Sequence, residues 1–231
     1  MVRLVAFFLV AMVLYGLLGQ LPFLGPFFQR LGCFGVWITA ILLSWAVTRF
    51  GDHAIRRGRD RAAIRKLEAV GSPHNHGKIG TLFLKQGRVR RSLEHLRLAA
   101  EGDPEVAEWH YRHGCALSIL KRHEEALEAL GRAVAIDEEH AYGGAQMRLA
   151  EALSAVGHDQ EALAALQVFE RNHGPMPESA YRRGRALERL GDPAAAREAF
   201  DEVGRLAKQV ASYQKREAAL WSLRAKLAAW F

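Results

Sequence analysis

Ten histidines and two cysteines are the residues of this chain best suited to chemistry, so their spacing is the first question. His74, His76, His110 and His113 come closest to a cluster, because they fall at the start of two neighbouring stretches of helical pattern. Their spacing matches no metal-ligand set, and Cys33 and Cys115 stand in separate segments, so neither zinc nor a disulfide framework is expected. His113 takes an apolar register position, which predicts a partly buried packing histidine. The tripeptide His74-Asn75-His76 lacks the hairpin and metal ligands that phosphodiester hydrolysis needs around it. No nucleophile elbow, phosphate-binding glycine loop or zinc-protease helix motif occurs either. No catalytic residue, metal or cofactor is therefore expected, and two isolated cysteines suit a reducing compartment.

The formal charge of +7 raises nucleic acid as a partner until its distribution is followed. Between Arg49 and Arg97 there are 13 Lys or Arg against four acids, whereas residues 98–231 carry 17 basic and 21 acidic side chains. The longer stretch is acidic on balance and unsuited to wrapping phosphates. Nucleic acid is not an expected partner.

Hydropathy divides the chain at about residue 50. Residues 1–50 carry only Arg3, Arg30 and Arg49 as charges, with nearly continuous apolar runs at 4–25 and 31–48. Each run is long enough, as a helix, to cross a bilayer core of about 30 Å. Pro22, Gly25 and Pro26 predict a break between them, hence a two-helix transmembrane hairpin over 1–50. Arg49, Arg56, Arg57, Arg59, Arg61, Arg65 and Lys66 follow at once, and such an excess marks the cytoplasmic end of a span. The same cations suit anionic lipid headgroups. The expectation is an integral protein of a bacterial-type inner membrane with its C-terminal part cytoplasmic. Residues 51–72 read as a basic juxtamembrane helix, with Asp52 as its N-cap, ending at Gly71; Ser72 and Pro73 start the next helix.

The remainder repeats with a period of 34. Gly80, Gly114, Ala150 and Gly184 fall in one column. Ser92, Ala126, Ala162 and Ala196 form a second, Leu96, Leu130, Leu166 and Phe200 a third. Gly87, Lys121, Gly157 and Gly191 mark the turns. Self-similarity at this period signals stacked helix pairs, in which small residues let two helices approach and a bulky one fills the gap beside them.

These columns resemble the tetratricopeptide repeat, with small residues at positions 8 and 20 and a bulky apolar residue at 24. Four units follow, 73–106, 107–140, 143–176 and 177–210, with Ala141 and Tyr142 inserted. The chain departs from the pattern in lacking Trp at position 4, in having Pro only at Pro104 for position 32, and in Phe169 and Val203 at position 27. The fold class is all-α: the hairpin, a solenoid of about four helix pairs, and a capping helix over 211–231. Leu220, Leu223, Leu227 and Trp230 recur at helical spacing and are expected to cover the last unit, leaving Trp221 and Phe231 off that stripe.

The resemblance also implies a site. In that family, positions 2, 5, 9, 12 and 13 of the first helix of each unit face a groove that binds proteins. Carried onto this sequence, the groove residues are Glu108, Tyr111 and Cys115 in the second unit, Met147 and Glu151 in the third, and Tyr181, Arg185, Glu188 and Arg189 in the fourth. The clamp that chaperone-binding members build at positions 5 and 9 of the first unit is missing, since Gly77 and Thr81 stand there. The tyrosines and Met147 are expected to bury apolar side chains of a ligand, and the two arginines to meet its acidic groups. The function implied is a membrane-anchored scaffold or adaptor that binds a protein partner and assembles a complex. The alternative is a structural accessory subunit of a larger membrane complex, held through the hairpin with the repeats as a brace. Self-association is compatible with both.

Overall fold

The computed structural model describes residue 9 and residues 12–21 and 25–229 of the 231-residue chain. The chain divides into two units, Met1–Arg65 and Lys66–Phe231.

In the first unit, helix α1 is described over 12–18 and turns at 19–21, where Gly19 N donates to Tyr15 O at 3.0 Å. Helix α2 then runs unbroken for 44 residues, Gly25–Glu68. The two helices touch where the Tyr15 ring lies against Gly35; a Cβ there would come within 2.1 Å of the ring, so only glycine fits. Thr39 Oγ1 donates to Gly35 O at 2.9 Å in the same turn. Several large apolar side chains described in this unit point outward, Phe34 being 72% exposed, Ile41 65% and Leu42 59%, whereas Ile64 near the end of α2 is buried.

This corrects the expected membrane architecture. Among the described residues, no helix is long and apolar enough to cross a membrane. The expected transmembrane hairpin, and the localisation resting on it, are therefore not supported. The apolar run 31–48 is not an element of its own. It continues without a cap into the arginine-rich stretch, so Asp52 lies in mid-helix and no separate juxtamembrane helix forms. An element with Arg30 near its start and Arg59, Arg61, Arg65 and Lys66 exposed in its second half is not an apolar cylinder. Arg49, Arg56 and Arg57 sit on the same helix, their side chains outside the described residues. The argument from flanking charge to a cytoplasmic side loses its basis as well. Pro26 is accommodated in the first turn of α2, where its missing N–H costs nothing; the expected break at Pro22 lies outside the described residues.

The second unit is a stack of helices with no strand among the described residues. Gly71 takes the left-handed conformation (φ +61°) and ends the turn after α2. Ser72 Oγ then accepts from Asn75 N, capping α3 (Pro73–Lys85), with Pro73 in its first turn. Helices α4 (Val89–Gly102), α5 (Ala107–Ile119), α6 (His123–Ile136), α7 (Gly144–Ala155), α8 (Asp159–His173), α9 (Pro177–Arg189) and α10 (Pro193–Gln209) follow. They pair as α3 with α4, α5 with α6, α7 with α8, and α9 with α10. The four turn-column residues, Gly87, Lys121, Gly157 and Gly191, are all left-handed. Lys121 adopts there a backbone that glycine holds without strain. Asp192 Oδ1 accepts from Ala195 N at 3.0 Å and caps α10.

Inside each pair the columns interlock. A Cβ at Gly80 would lie 2.6 Å from Leu96 Cγ, one at Gly114 2.5 Å from Leu130 Cγ, and one at Gly184 2.5 Å from the Phe200 ring. Leu96, Leu130 and Leu166 are all but fully buried, and so are Ala126 and Ala162. Removing the small side chain at position 8 is what lets the bulky one at position 24 seat against the backbone.

The inserted Ala141 and Tyr142 and the following Gly143 are three consecutive left-handed residues, with Tyr142 92% exposed. Phe169 and His173 pack onto Gly143, and their rings meet at 5.0 Å. The unusual Phe at position 27 thus fills space beside the inserted turn.

A short 3-10 turn (Ser212–Gln214) leads to α11 (Lys215–Ala228), which packs on α9 and α10. The face it buries is not the expected one. Ala218 and Ala225 are buried and Trp221 joins the core of the last pair, whereas Leu220, Leu223 and Leu227 stay more than half exposed. Alanines permit the closer approach of two helix backbones, and the indole finds ring partners that a leucine stripe lacks. Trp230 and Phe231 lie outside the described residues.

Candidate functional site

The first helices of the pairs, α3, α5, α7 and α9, touch one another in order and so present one continuous face. Repetition of the unit puts equivalent register positions on that face in every pair, and its polar groups form a ladder rather than separate exposed charges.

The ladder starts on α5. Glu108 is paired with Arg112 one turn on, and its other oxygen meets His140 Nε2 at 2.8 Å. The Tyr111 ring packs edge-on against His140, with centroids 5.3 Å apart. Tyr111, Cys115 and Arg148 of α7 interact side by side; burial pushes the phenol and the thiol above their ordinary values.

Glu151 joins the middle of the ladder. Arg148 Nη1 donates to Glu151 Oε2 at 2.7 Å and Arg182 Nη2 donates to the same oxygen at 3.0 Å. Arg182 also reaches Glu178 at 2.6 Å and lies over the Trp221 ring. Burial disfavours the Glu151 carboxylate, yet the two guanidinium groups, Arg182 foremost, hold it below the usual carboxylate range. The ladder therefore ties α7 to α9.

The far end has a different character. Arg189 grips the buried Asp159 through both carboxylate oxygens at 2.7–2.9 Å, and Ser154 Oγ donates to Asp159 Oδ1 at 3.1 Å. The hydrogen bonds from Arg189 hold Asp159 low, and the triad joins α7, α8 and α9. Arg185 has a looser arrangement: its Nη1 donates to Glu188 Oε2 at 2.5 Å, one turn along the same helix, with both side chains more than a third exposed. Between α7 and α9 lies an open slot of about 250 Å³ lined by Ala150, Glu151, Ser154, Ala155, Tyr181, Arg182, Arg185 and Arg189. The Tyr181 ring is part of its wall and packs against Phe200 (centroids 5.9 Å) and Trp221 (5.4 Å).

Of the groove residues expected from sequence, the slot brings together Glu151, Tyr181, Arg185 and Arg189, with Glu188 beside Arg185. Tyr111, Cys115 and Glu108 share the same face one unit away. Met147 is not presented on it: at 6% exposure it belongs to the core between α7 and α8. An unbranched thioether folds down into the gap, whereas the phenols at the same position of the neighbouring units stay partly exposed. Arg148 and Arg182 escape a reading restricted to groove positions. Their signal lies in the repeat itself, because Lys78, Arg112, Arg148 and Arg182 make a basic column at position 6.

The described histidines do not gather into a ligand set. His110 Nε2 bonds to Pro104 O at 2.8 Å, burial pushes the His113 imidazole down, and His76 meets His95 Nδ1 to Nδ1 at 3.0 Å. Among the described residues, no group of three or more His, Cys, Asp or Glu could hold a metal ion.

The helix-pair repeat has clear counterparts. The tetratricopeptide repeat family model matches residues 78–141 and 147–211, more than half of the chain. No curated protein matches at significant similarity. Among solved structures, the crystal structure of MamA protein is 22% identical over 66% of this chain and 85% of its own, with a TM-score of 0.58. The MamA fragment from residue 41 to the end, from Desulfovibrio magneticus RS-1, is 21% identical over 71% and 95%, with a TM-score of 0.61. YrrB, described as a protein of this repeat class with an unusual peptide-binding site, is 16% identical over 77% and 89%, with a TM-score of 0.63. At these identities the likeness shows the fold alone. On the match over both repeat pairs, and on the interlocked columns beneath it, this chain belongs to the tetratricopeptide repeat family.

Proposed function

We propose that the protein is a scaffold whose face of first helices binds a segment of a partner protein and thereby assembles a complex. The observation that carries this reading is the slot between α7 and α9, an open apolar cleft rimmed by arginines and held rigid by the Arg148–Glu151–Arg182 ladder. A site already ordered before binding avoids the entropy of ordering it later. YrrB, a protein of the same fold, carries a peptide-binding site, which supports the use of this architecture for peptides. Residues proposed to meet the partner are Tyr111, Cys115 and Glu108 at one end and Glu151, Tyr181, Arg185 and Arg189 at the other, with Glu188 beside them as the internal partner of Arg185.

Photo-crosslinking from position 155, in the slot, and from position 128, on the exposed surface of α6, tests the reading. A partner captured from 155 and not from 128 is the expected result. Equal capture from both positions, or capture from 128 alone, sinks it.

A second reading has its own observation. Phe34, Ile41 and Leu42 form part of an exposed apolar surface on α2, and surfaces of that kind mark interaction sites. On this reading the protein is a structural subunit of a larger assembly, or of a homo-oligomer, held through α2 with the repeats as a brace. Phe34→Ser with Ile41→Ser then abolishes co-purification with the assembly while Ala155→Trp leaves it intact; the reverse pattern favours the groove.

A further inference from the structure

We propose that the slot between α7 and α9 recognises an acidic, aromatic segment: one aromatic side chain enters the cleft, and a carboxylate one or two residues away binds Arg185. This rests on the groove reading above and states which chemistry the groove selects.

The size of the cleft comes first. About 250 Å³ is less than the volume of usual small-molecule sites and suits a single large side chain. Its lining then narrows the choice. Ala150 and Ala155 leave the middle open, the Tyr181 ring is held in place by two other rings, and three arginines lend apolar stems and planar heads. Guanidinium planes and a phenol ring favour a flat aromatic group over a branched aliphatic one, through stacking and cation–π attraction.

The electrostatics decide the neighbouring group. Three guanidinium groups line the slot against the single carboxylate of Glu151, and that carboxylate is already shared between Arg148 and Arg182. Arg189 is committed to the buried Asp159. Arg185 has only Glu188, on its own helix and partly in water, and exposed pairs of that kind contribute little to stability. Arg185 can therefore exchange Glu188 for a ligand carboxylate at small cost, gaining a bidentate partner. A basic segment would find the acids around the slot already engaged, Glu151 and Glu178 by Arg182 and Asp159 by Arg189, and would have to compete with Arg185 for Glu188.

Panning a random 12-residue phage-displayed peptide library on the full chain tests the inference. Recovered peptides are then titrated by fluorescence anisotropy against the unaltered chain and its variants, with thermal melts establishing that each variant is folded. The expected result is a shared aromatic residue with Asp or Glu within two positions. Ala155→Trp, which fills the cleft, and Arg185→Glu each weaken binding by about tenfold or more, whereas Glu188→Gln, which releases Arg185, strengthens it. Peptides that lose affinity with Ala155→Trp but share a basic or purely aliphatic motif overturn this inference and leave the groove reading standing. No enriched peptide, or binding indifferent to both Ala155→Trp and Arg185→Glu, overturns the inference and the groove reading together.

Discussion

The two units of the molecule use apolar residues in opposite ways. On α2, large side chains such as Phe34 and Ile41 face outward. In the repeats, much of the core is made of alanines, with glycines set opposite leucines. Hydrophobicity alone does not decide burial; what decides it is whether a facing surface of complementary shape exists. Columns 8, 20 and 24 supply such a surface in every pair, and α1 meets α2 in that manner at Gly35. The repeats therefore bury their apolar columns within themselves, while the described outer face of α2 leaves large apolar side chains exposed.

Leu130→Ala attacks the comparison most strongly. This side chain is fully buried against Gly114, and its truncation is expected to cost about 2–5 kcal/mol in denaturant unfolding. Gly114→Val strikes the same contact from the other side. A Cβ would meet Leu130 at 2.5 Å, and the overpacking costs about 1–3 kcal/mol, read as a lowered midpoint with an unchanged slope. Asp159→Asn removes the charge that Arg189 grips; because Arg189 keeps access to water, the expected loss is about 1–2 kcal/mol, with α8 and α9 exchanging amide hydrogens faster.

A pH titration distinguishes the packed unit by a different route. His95 is held below its ordinary value of 6.5 by burial and by His76 beside it, and His113 by burial and by His110. The folded repeats therefore bind fewer protons than the unfolded chain just below pH 6.5. Stability is complete above that value and declines as pH falls toward the lowered folded values. Melting temperatures between pH 8 and 5 check the slope, and His95→Gln should flatten it. A chain that gains stability on acidification contradicts the buried-imidazole account. The smallest effect is expected on α2: Phe34→Ser or Ile41→Ser should leave the unfolding of the repeats within about 0.5 kcal/mol. A larger loss would mean that this outer face is structural after all, and the contrast between the units would fail.

Much of the repeat architecture is legible along the chain, because each signal is local. Left-handed turns at Gly87, Gly157 and Gly191, the Ser72 and Asp192 caps, and the 34-residue columns need only neighbours in sequence to take effect. Lys121 shows the strength of the pattern, adopting the turn conformation without being glycine. The groove is legible in part, since a register position assigns a side chain to a face. It does not say whether that side chain lies on the face or folds beneath it, as Met147 does. Hydropathy windows misread α2 for a related reason: they register an apolar run but not that the helix continues through the arginines.

Composition and spacing by themselves determined the helical class of the described residues, the repeat period and the identity of the interlocking residues. Tertiary structure alone decided that α11 turns Ala218, Trp221 and Ala225 inward and its leucines outward, that Glu151 and Asp159 become the anchors of three arginines, and that an open slot remains beside Tyr181. The physical reason is range. Helix, cap and turn preferences act over four or five residues, whereas a helix chooses its buried face, and a charge its partner, according to shapes and potentials contributed by segments about thirty positions away.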